Sequence, residues 1–427
     1  MNMKKSVLCI SMMLIVFLGG CSNFSKKSTK SGEEVILTYA RGADVTQATF
    51  KIVEKFNEIH KGEIRVEFKE MPASSDAQRE KYIESFAKKK SDIDVFDADV
   101  VWPAEFAESG YVIALDKYLE RDEIQKEDYL NGPIKAVQFK GKTWGLPKFI
   151  DSGLLFYRKD IVEKAPETWE ALIGMANAYQ GENGTIYGYV AQAKQYEGLI
   201  CNAIEFIEAY GGAVVDWNGD IIINQSETIK GLTEFINLLN QPSVPSDITS
   251  YTEVESHTAF IEGKSVFIRN WPYQWGLAND ESKSKIVGKV GVAPLPRGDY
   301  GGAATLGGWV TMINKNSKNP GKAWEFMKFM NGEEGQKISA IYAGQAPTLK
   351  KLWEDEEVLE ANPFFRSKGF KIGLRYAVPR PVSPIYSKLS EIMQIEISKA
   401  IKGEITPKKA VENMDREMKR VVEESKK

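Results

Sequence analysis

Hydrophobic and polar positions fall into alternating blocks along the chain. Val35 to Ala40 is rich in β-branched and aromatic residues and predicts a strand. Gln47 to His60 carries Ile52, Phe56 and Ile59 at helical spacing, with Asp44 and Gln47 placed as a capping box. Ile64-Arg65-Val66-Glu67-Phe68 alternates apolar and polar, the period of a half-buried strand. Asp76 to Lys89 returns to the helical period with Ile83, Phe86 and Ala87 inward, and Asp94 to Val101 predicts the next strand. Strand, helix, strand, helix, strand predicts an α/β fold with a parallel sheet and right-handed crossovers. Ligands of such sheets bind beyond the C-terminal strand ends, which points to the Arg41–Thr46 loop and to Asp99 and Trp102.

A second apolar block follows. Trp144-Gly145-Leu146-Pro147 leads into Leu154-Leu155-Phe156-Tyr157. Ser265 to Ile268 predicts a strand ended by Asn270-Trp271-Pro272, and Lys289 to Ala293 another, ended by Pro294 and Pro296. Asn319-Pro320 opens a helix with Ala323, Phe326, Met327 and Met330 on one face. No short-period repeat, G-x-G-x-x-G run or Walker loop occurs.

The N-terminus has a different character. Lys4 and Lys5 precede the apolar run Val7 to Leu18, too short to span a bilayer and suited to a signal peptide. It ends Leu18-Gly19-Gly20-Cys21, which resembles the lipobox of bacterial lipoproteins. That resemblance implies cleavage after residue 20, lipidation of Cys21 and attachment to the outer face of the bacterial cytoplasmic membrane. The polar, Ser/Lys-rich residues 21–32 then form a flexible tether. An ordinary signal peptide with an incidental cysteine is the alternative.

Composition narrows the function classes. A chain of 427 residues exceeds one ordinary core and suits two or three domains. At 43% apolar and 27% charged it is a folded globular protein. Lys+Arg 56 against Asp+Glu 59 removes the bulk electrostatic case for a nucleic-acid partner. Two histidines leave little room for a His-based triad or a multi-His metal site. With Cys9 in the signal and Cys21 lipidated, Cys201 is left alone in an apolar helical stretch, so the body has no intrachain disulfide.

Several runs then combine into a family resemblance. They include Gln78-Arg79, Asp94-Val95-Phe96, Ile150 to Asp160 (IDSGLLFYRKD), Pro166-Glu167-Thr168-Trp169, Lys194 to Leu199 (KQYEGL) and Arg269 to Leu277 (RNWPYQWGL). Gly288 to Pro296 (GKVGVAPLP), Ala304 to Trp309 (ATLGGW) and Ala377 to Pro381 (AVPRP) continue in order. The chain resembles the extracellular solute-binding proteins of ABC importers, in their sugar-binding branch. The resemblance implies a two-lobed periplasmic-binding-protein-like α/β fold with hinge crossovers and a ligand cleft. Lobe one is expected at about 33–150 plus 295–347, and lobe two at about 151–294 plus 348–427. It further implies a monomeric binder without catalysis or cofactor. Its partners would be a disaccharide or short α-glucoside of the trehalose or maltose type and the membrane permease subunits.

A sugar needs charged forks for its hydroxyls and aromatic planes for its C–H face. By the resemblance, Arg79, Asp99, Asp151, Trp271, Gly308, Trp309 and Arg380 supply them. Each has a plainer alternative. Asp99 also suits a loop carboxylate or a cap, Arg79 and Arg380 surface ion pairs, Asp151 a hinge contact and Trp271 the core. Asp44, Thr46 or Gln47 either replaces a family glutamate or caps the first helix, and Phe149 stands where the family has a tyrosine. Asp92, Asp94 and Asp97 lack the spacing of a calcium loop. The rivals are a secreted glycosidase or lyase, whose clefts share this composition, and the same fold holding a non-sugar solute.

Overall fold

The computed structural model describes residues 33–216 and 218–426. The signal run and Cys21 lie outside the described residues. Two hydrophobic cores organise the rest, each around its own sheet.

The first core follows from the opening blocks. β1 (Val35–Gly42), β2 (Ile64–Met71) and β3 (Val95–Asp99) pair in parallel, with β1 between the other two. The intervening helices are Ala48–Ile59 and Ser75–Ala87. The first helix buries Ile52, Val53 and Phe56, as its spacing predicts. Its start differs from expectation. Gln47 caps nothing and has a left-handed backbone (φ 69°), while Asp44 accepts from the Thr46 and Thr49 amides. The five-residue separation lets one carboxylate serve both amides, so the predicted Asp44–Gln47 box gives way to an aspartate turn.

A short hairpin, β4 (Gln138–Phe139) and β5 (Lys142–Thr143), precedes β6 (Leu146–Ser152). β6 belongs to the first sheet, whereas the next strand, β7 (Leu154–Arg158), belongs to a second. That second sheet runs β10 (Val290–Pro294), β7, β9 (Ser265–Asn270), β8 (Tyr187–Val190). The chain then returns through β11 (Ala304–Ile313), which lies antiparallel between β6 and β3. Its last elements on the first sheet are β12 (Ala346–Pro347) beside β6 and β13 (Ala377–Pro379) beside the start of β11. The two sheets are therefore linked at Ser152–Leu154 and between Pro294 and Ala304.

The helix Pro320–Asn331 buries Ala323, Phe326, Met327 and Met330 in the first core, the face its spacing predicts. Helices Glu197–Ala209, Ser226–Leu239, Tyr386–Ile401 and Pro407–Ser425 pack in the second. No helix among the described residues is long and apolar enough to cross a membrane.

Candidate functional site: a charged and aromatic cleft between the two sheets

The ends of β1, β3, β6, β9 and β11 converge on one cleft. Strand register explains one wall. Trp309 of β11 is paired with Asp99 on one side and Phe149 on the other, so the three side chains share a face of the sheet. Gly307 is paired with Asp151. The register slips between Trp309 and Val310, a bulge that turns the strand where the cleft begins. Gly308 has φ +130°, and a Cβ there would stand 2.4 Å from the Phe149 carbonyl oxygen, so only glycine fits. At Gly307 a Cβ would lie 2.9 Å from the Trp271 ring, so this glycine lets the indole approach the backbone.

The second sheet supplies the facing wall. Trp271 follows β9, and the Arg269 guanidinium lies 3.9 Å from its ring centroid, a cation–π contact that fixes the indole. Arg269 is itself buried and paired to Glu205 (Nε to Oε2 2.9 Å). The Trp271 indole N–H donates to Glu253, whose other oxygen accepts from the Tyr196 hydroxyl at 2.7 Å. Glu253 opens a helix whose Thr252–Glu255 capping box holds it in place. Tyr273 lines the cleft and meets His257 Nδ1 at 3.2 Å.

Arg380 joins the walls. Its Nη2 donates to Asp99 Oδ1 at 2.6 Å and its Nη1 to Glu197 Oε1 at 2.7 Å. The Tyr386 hydroxyl also donates to Glu197, at 2.6 Å. Arg380 directly follows β13, so a segment expected in the second lobe carries a strand of the first sheet.

Burial shapes the electrostatics. It raises the Asp151 carboxyl to about 7; Asp99 and Glu253 push the same way and Arg269 opposes. It lowers His257 to about 4, so that imidazole is neutral at pH 7. It drives the Cys201 thiol well above its ordinary value, which makes it a poor nucleophile although it lines the cleft. Four buried polar atoms of cleft-lining residues lack a protein partner among the described residues: Gln78 Oε1, Asp151 Oδ1, Gln345 Oε1 and Arg380 Nε. Buried polar groups are ordinarily paired, so these donors and acceptors suit a polyhydroxylated ligand. Among the described residues no group of three or more His, Cys, Asp or Glu is placed to hold a metal ion.

The sequence and the architecture match known proteins. Residues 42–337 match the family model described as bacterial extracellular solute-binding protein. The chain belongs to that family. A probable ABC transporter-binding protein of Deinococcus radiodurans is 36% identical over 356 residues, covering 81% of this chain and 83% of that protein. A maltotriose-binding protein of Pyrococcus abyssi is 26% identical over 295 residues, covering 66% of this chain and 60% of that one. The solved structure of maltose-bound MalE3 of T. maritima superposes with a TM-score of 0.85 at 36% identity, covering 91% of this chain and all of that chain. Fold and family are those of substrate-binding proteins, with the two-lobed architecture the resemblance implies.

Within this solute-binding fold, Asp99, Asp151, Trp271, Gly308, Trp309 and Arg380 all line the cleft. Arg79 does not. Its guanidinium is paired with Glu105 (Nε to Oε2 2.9 Å), which also accepts from the Ser387 hydroxyl, so Arg79 ties three helices together beside the cleft. This ion pair is partly buried and not on the surface. Gln78, Tyr196, Glu197, Glu253 and Gln345 also line the cleft and were not among the predicted contacts, whereas Arg41 belongs to the loop that the strand-end rule pointed to. Tyr196 and Glu197 lie inside the run KQYEGL, a signal present in the sequence. Glu253 and Gln345 carry no local signal, being one acidic helix start and one loop amide.

Proposed function

We propose that this protein is the sugar-capturing subunit of an ABC importer, anchored outside the cytoplasmic membrane by lipidated Cys21 and acting as a monomer. Its ligand is a disaccharide or short α-glucoside of the maltose or trehalose type, delivered to permease subunits. One observation carries the reading: two indoles, Trp271 and Trp309, stand in one cleft with Asp99, Asp151 and the Arg380 fork. Indole planes take the C–H faces of a sugar, and carboxylates and guanidinium take its hydroxyls. The name of the Pyrococcus relative and the maltose in the T. maritima structure support an α-glucan ligand.

In this reading Asp99, Asp151, Gly308, Trp309 and Arg380 contact the sugar together with Trp271. Lobes of residues 33–150 with 295–347 and 151–294 with 348–427 close over it, hinging where the two sheets are linked. Closure is a population shift, set by how much better the closed form binds. A thermal-shift and calorimetry panel of trehalose, maltose, sucrose and longer α-glucans tests the proposal. At least one should bind near the micromolar scale, about −8 kcal/mol. Silence to every saccharide defeats it.

One observation suits a hydrolase: Asp151, raised to about 7, beside other carboxylates. Release of reducing ends from α-glucans by the purified body would favour that second reading over capture.

A further inference from the structure

We infer that Arg41, at the end of β1, is a ligand-contacting and specificity-determining residue of the cleft, donating to a neutral oxygen acceptor of the bound sugar. The inference rests on the sugar-binding reading above and extends it to a residue that reading does not use.

The loop after β1 lies where open α/β sheets bind ligands, and its residues Arg41 to Thr46 all line the cleft. Most are otherwise committed or lack a suitable group. Asp44 spends its carboxylate on the Thr46 amide and hydroxyl and on the Thr49 amide. Gly42, Ala43 and Val45 have no polar side chain, and the Thr46 hydroxyl donates to Asp44. Arg41 is different. A guanidinium has five N–H donors. Among the described residues, one protein hydrogen bond uses them, Nη1 to Thr49 Oγ1 at 2.6 Å. Nε stands 3.6 Å from Asp97 Oδ2, an ion-pair distance that fixes the side chain. The side chain is 15% exposed and the residue lines the cleft.

The charges behind it set the kind of acceptor. Asp97 also receives Lys148 Nζ at 2.7 Å, and Lys148 is buried. Asp44, the second carboxylate, is held low by Arg41 and its hydrogen bonds against the opposing effect of burial. Two cations, Arg41 and Lys148, thus face two anions, Asp97 and Asp44. The cluster is balanced, so a carboxylate or phosphate on the ligand would have no uncompensated charge to meet. What remains is a set of donors anchored by an ion pair, suited to a hydroxyl or ring oxygen. This is the complement of the acceptor-rich wall made by Asp151 and Glu253.

The test uses the whole mature body and the neutral panel maltose, trehalose, sucrose and maltotriose. Arg41→Lys keeps a charge near Asp97 and loses the fork; Arg41→Gln keeps an amide donor and loses the charge. Both should weaken the best-bound sugar by about ten-fold or more. They should also change the ratio of affinities between sugars, which a purely structural role would not do. Ligand-free melting of Arg41→Lys should stay near wild type. If wild type binds a sugar and both variants keep its affinity and rank order, the inference fails while capture stands. If variants weaken every sugar equally and melt early, Arg41 is structural and the inference also fails. If wild type ignores the whole panel, the capture reading falls and takes this one with it.

Discussion

Arg380 and Asp99 are 281 positions apart in the chain, yet their side chains meet in a two-pronged ion pair, Nη2 to Oδ1 at 2.6 Å and Nη1 to Oδ2 at 3.3 Å. The same Nη1 reaches Glu197, so one guanidinium links the end of β3 to a helix of the second core. The groups are buried, which makes the bridge costly to break from one side.

Arg380→Ala leaves Asp99 and Glu197 without their cation. We expect a stability loss of about 3–5 kcal/mol. Urea unfolding measures it, and calorimetry should show sugar affinity falling with it. A variant as stable as wild type would show that the bridge contributes nothing net.

Trp309 packs edge-on against Trp102, with ring centroids 5.7 Å apart, and shares its sheet face with Asp99 and Phe149. Trp309→Ala should weaken sugar binding by about 2 kcal/mol or more, the scale of a buried aromatic anchor. Unchanged titration calorimetry would remove Trp309 from the site.

The paired glycines should separate by phenotype. Gly308→Ala meets both a left-handed backbone and the Phe149 carbonyl, so it should cost the fold about 2 kcal/mol or more. Gly307→Ala meets the Trp271 ring and the Asp151 Cβ but no backbone atom, so it should shift these side chains and reduce sugar affinity with a smaller change in melting temperature. The reverse pattern would contradict the assigned contacts.

Asp151 gives the stability a pH dependence whose sign follows from its raised value. Its carboxyl titrates near 7 when folded, above the ordinary value of about 4 in the unfolded chain. Between those values the unfolded chain releases the proton first, so stability falls as pH rises from about 4 to 7 and is level above. Asp151→Asn should remove this decline, a difference on the order of 2–4 kcal/mol at pH 8. Denaturant unfolding at pH 4, 6 and 8 compares the two proteins. Parallel pH profiles would show that Asp151 ionises normally.

Much of the first core was legible in the residues. The periods of Ile64–Phe68 and of Ala323, Phe326, Met327 and Met330 state which side is buried, because strand and helix repeat at fixed intervals whatever their surroundings. The alternation of strand and helix blocks is enough for three parallel strands joined by right-handed crossovers, while the central place of β1 came from the structure. The ordered runs from Gln78 to Pro381 were enough for the family.

Only the tertiary structure decided which charged groups face the cleft. Arg79 on a helix and Arg41 at a strand end are both arginines of the first lobe, but the first pairs with Glu105 while Thr49 and Asp97 hold the second at the wall. Glu253 enters through its contacts with Tyr196 and Trp271, and Asp44, though it lines the cleft, spends its carboxylate on a helix start. A side chain's partner depends on elements tens to hundreds of positions distant. Local periodicity carries burial and backbone form, whereas the pairing of charges is settled only when both sheets close on one cleft.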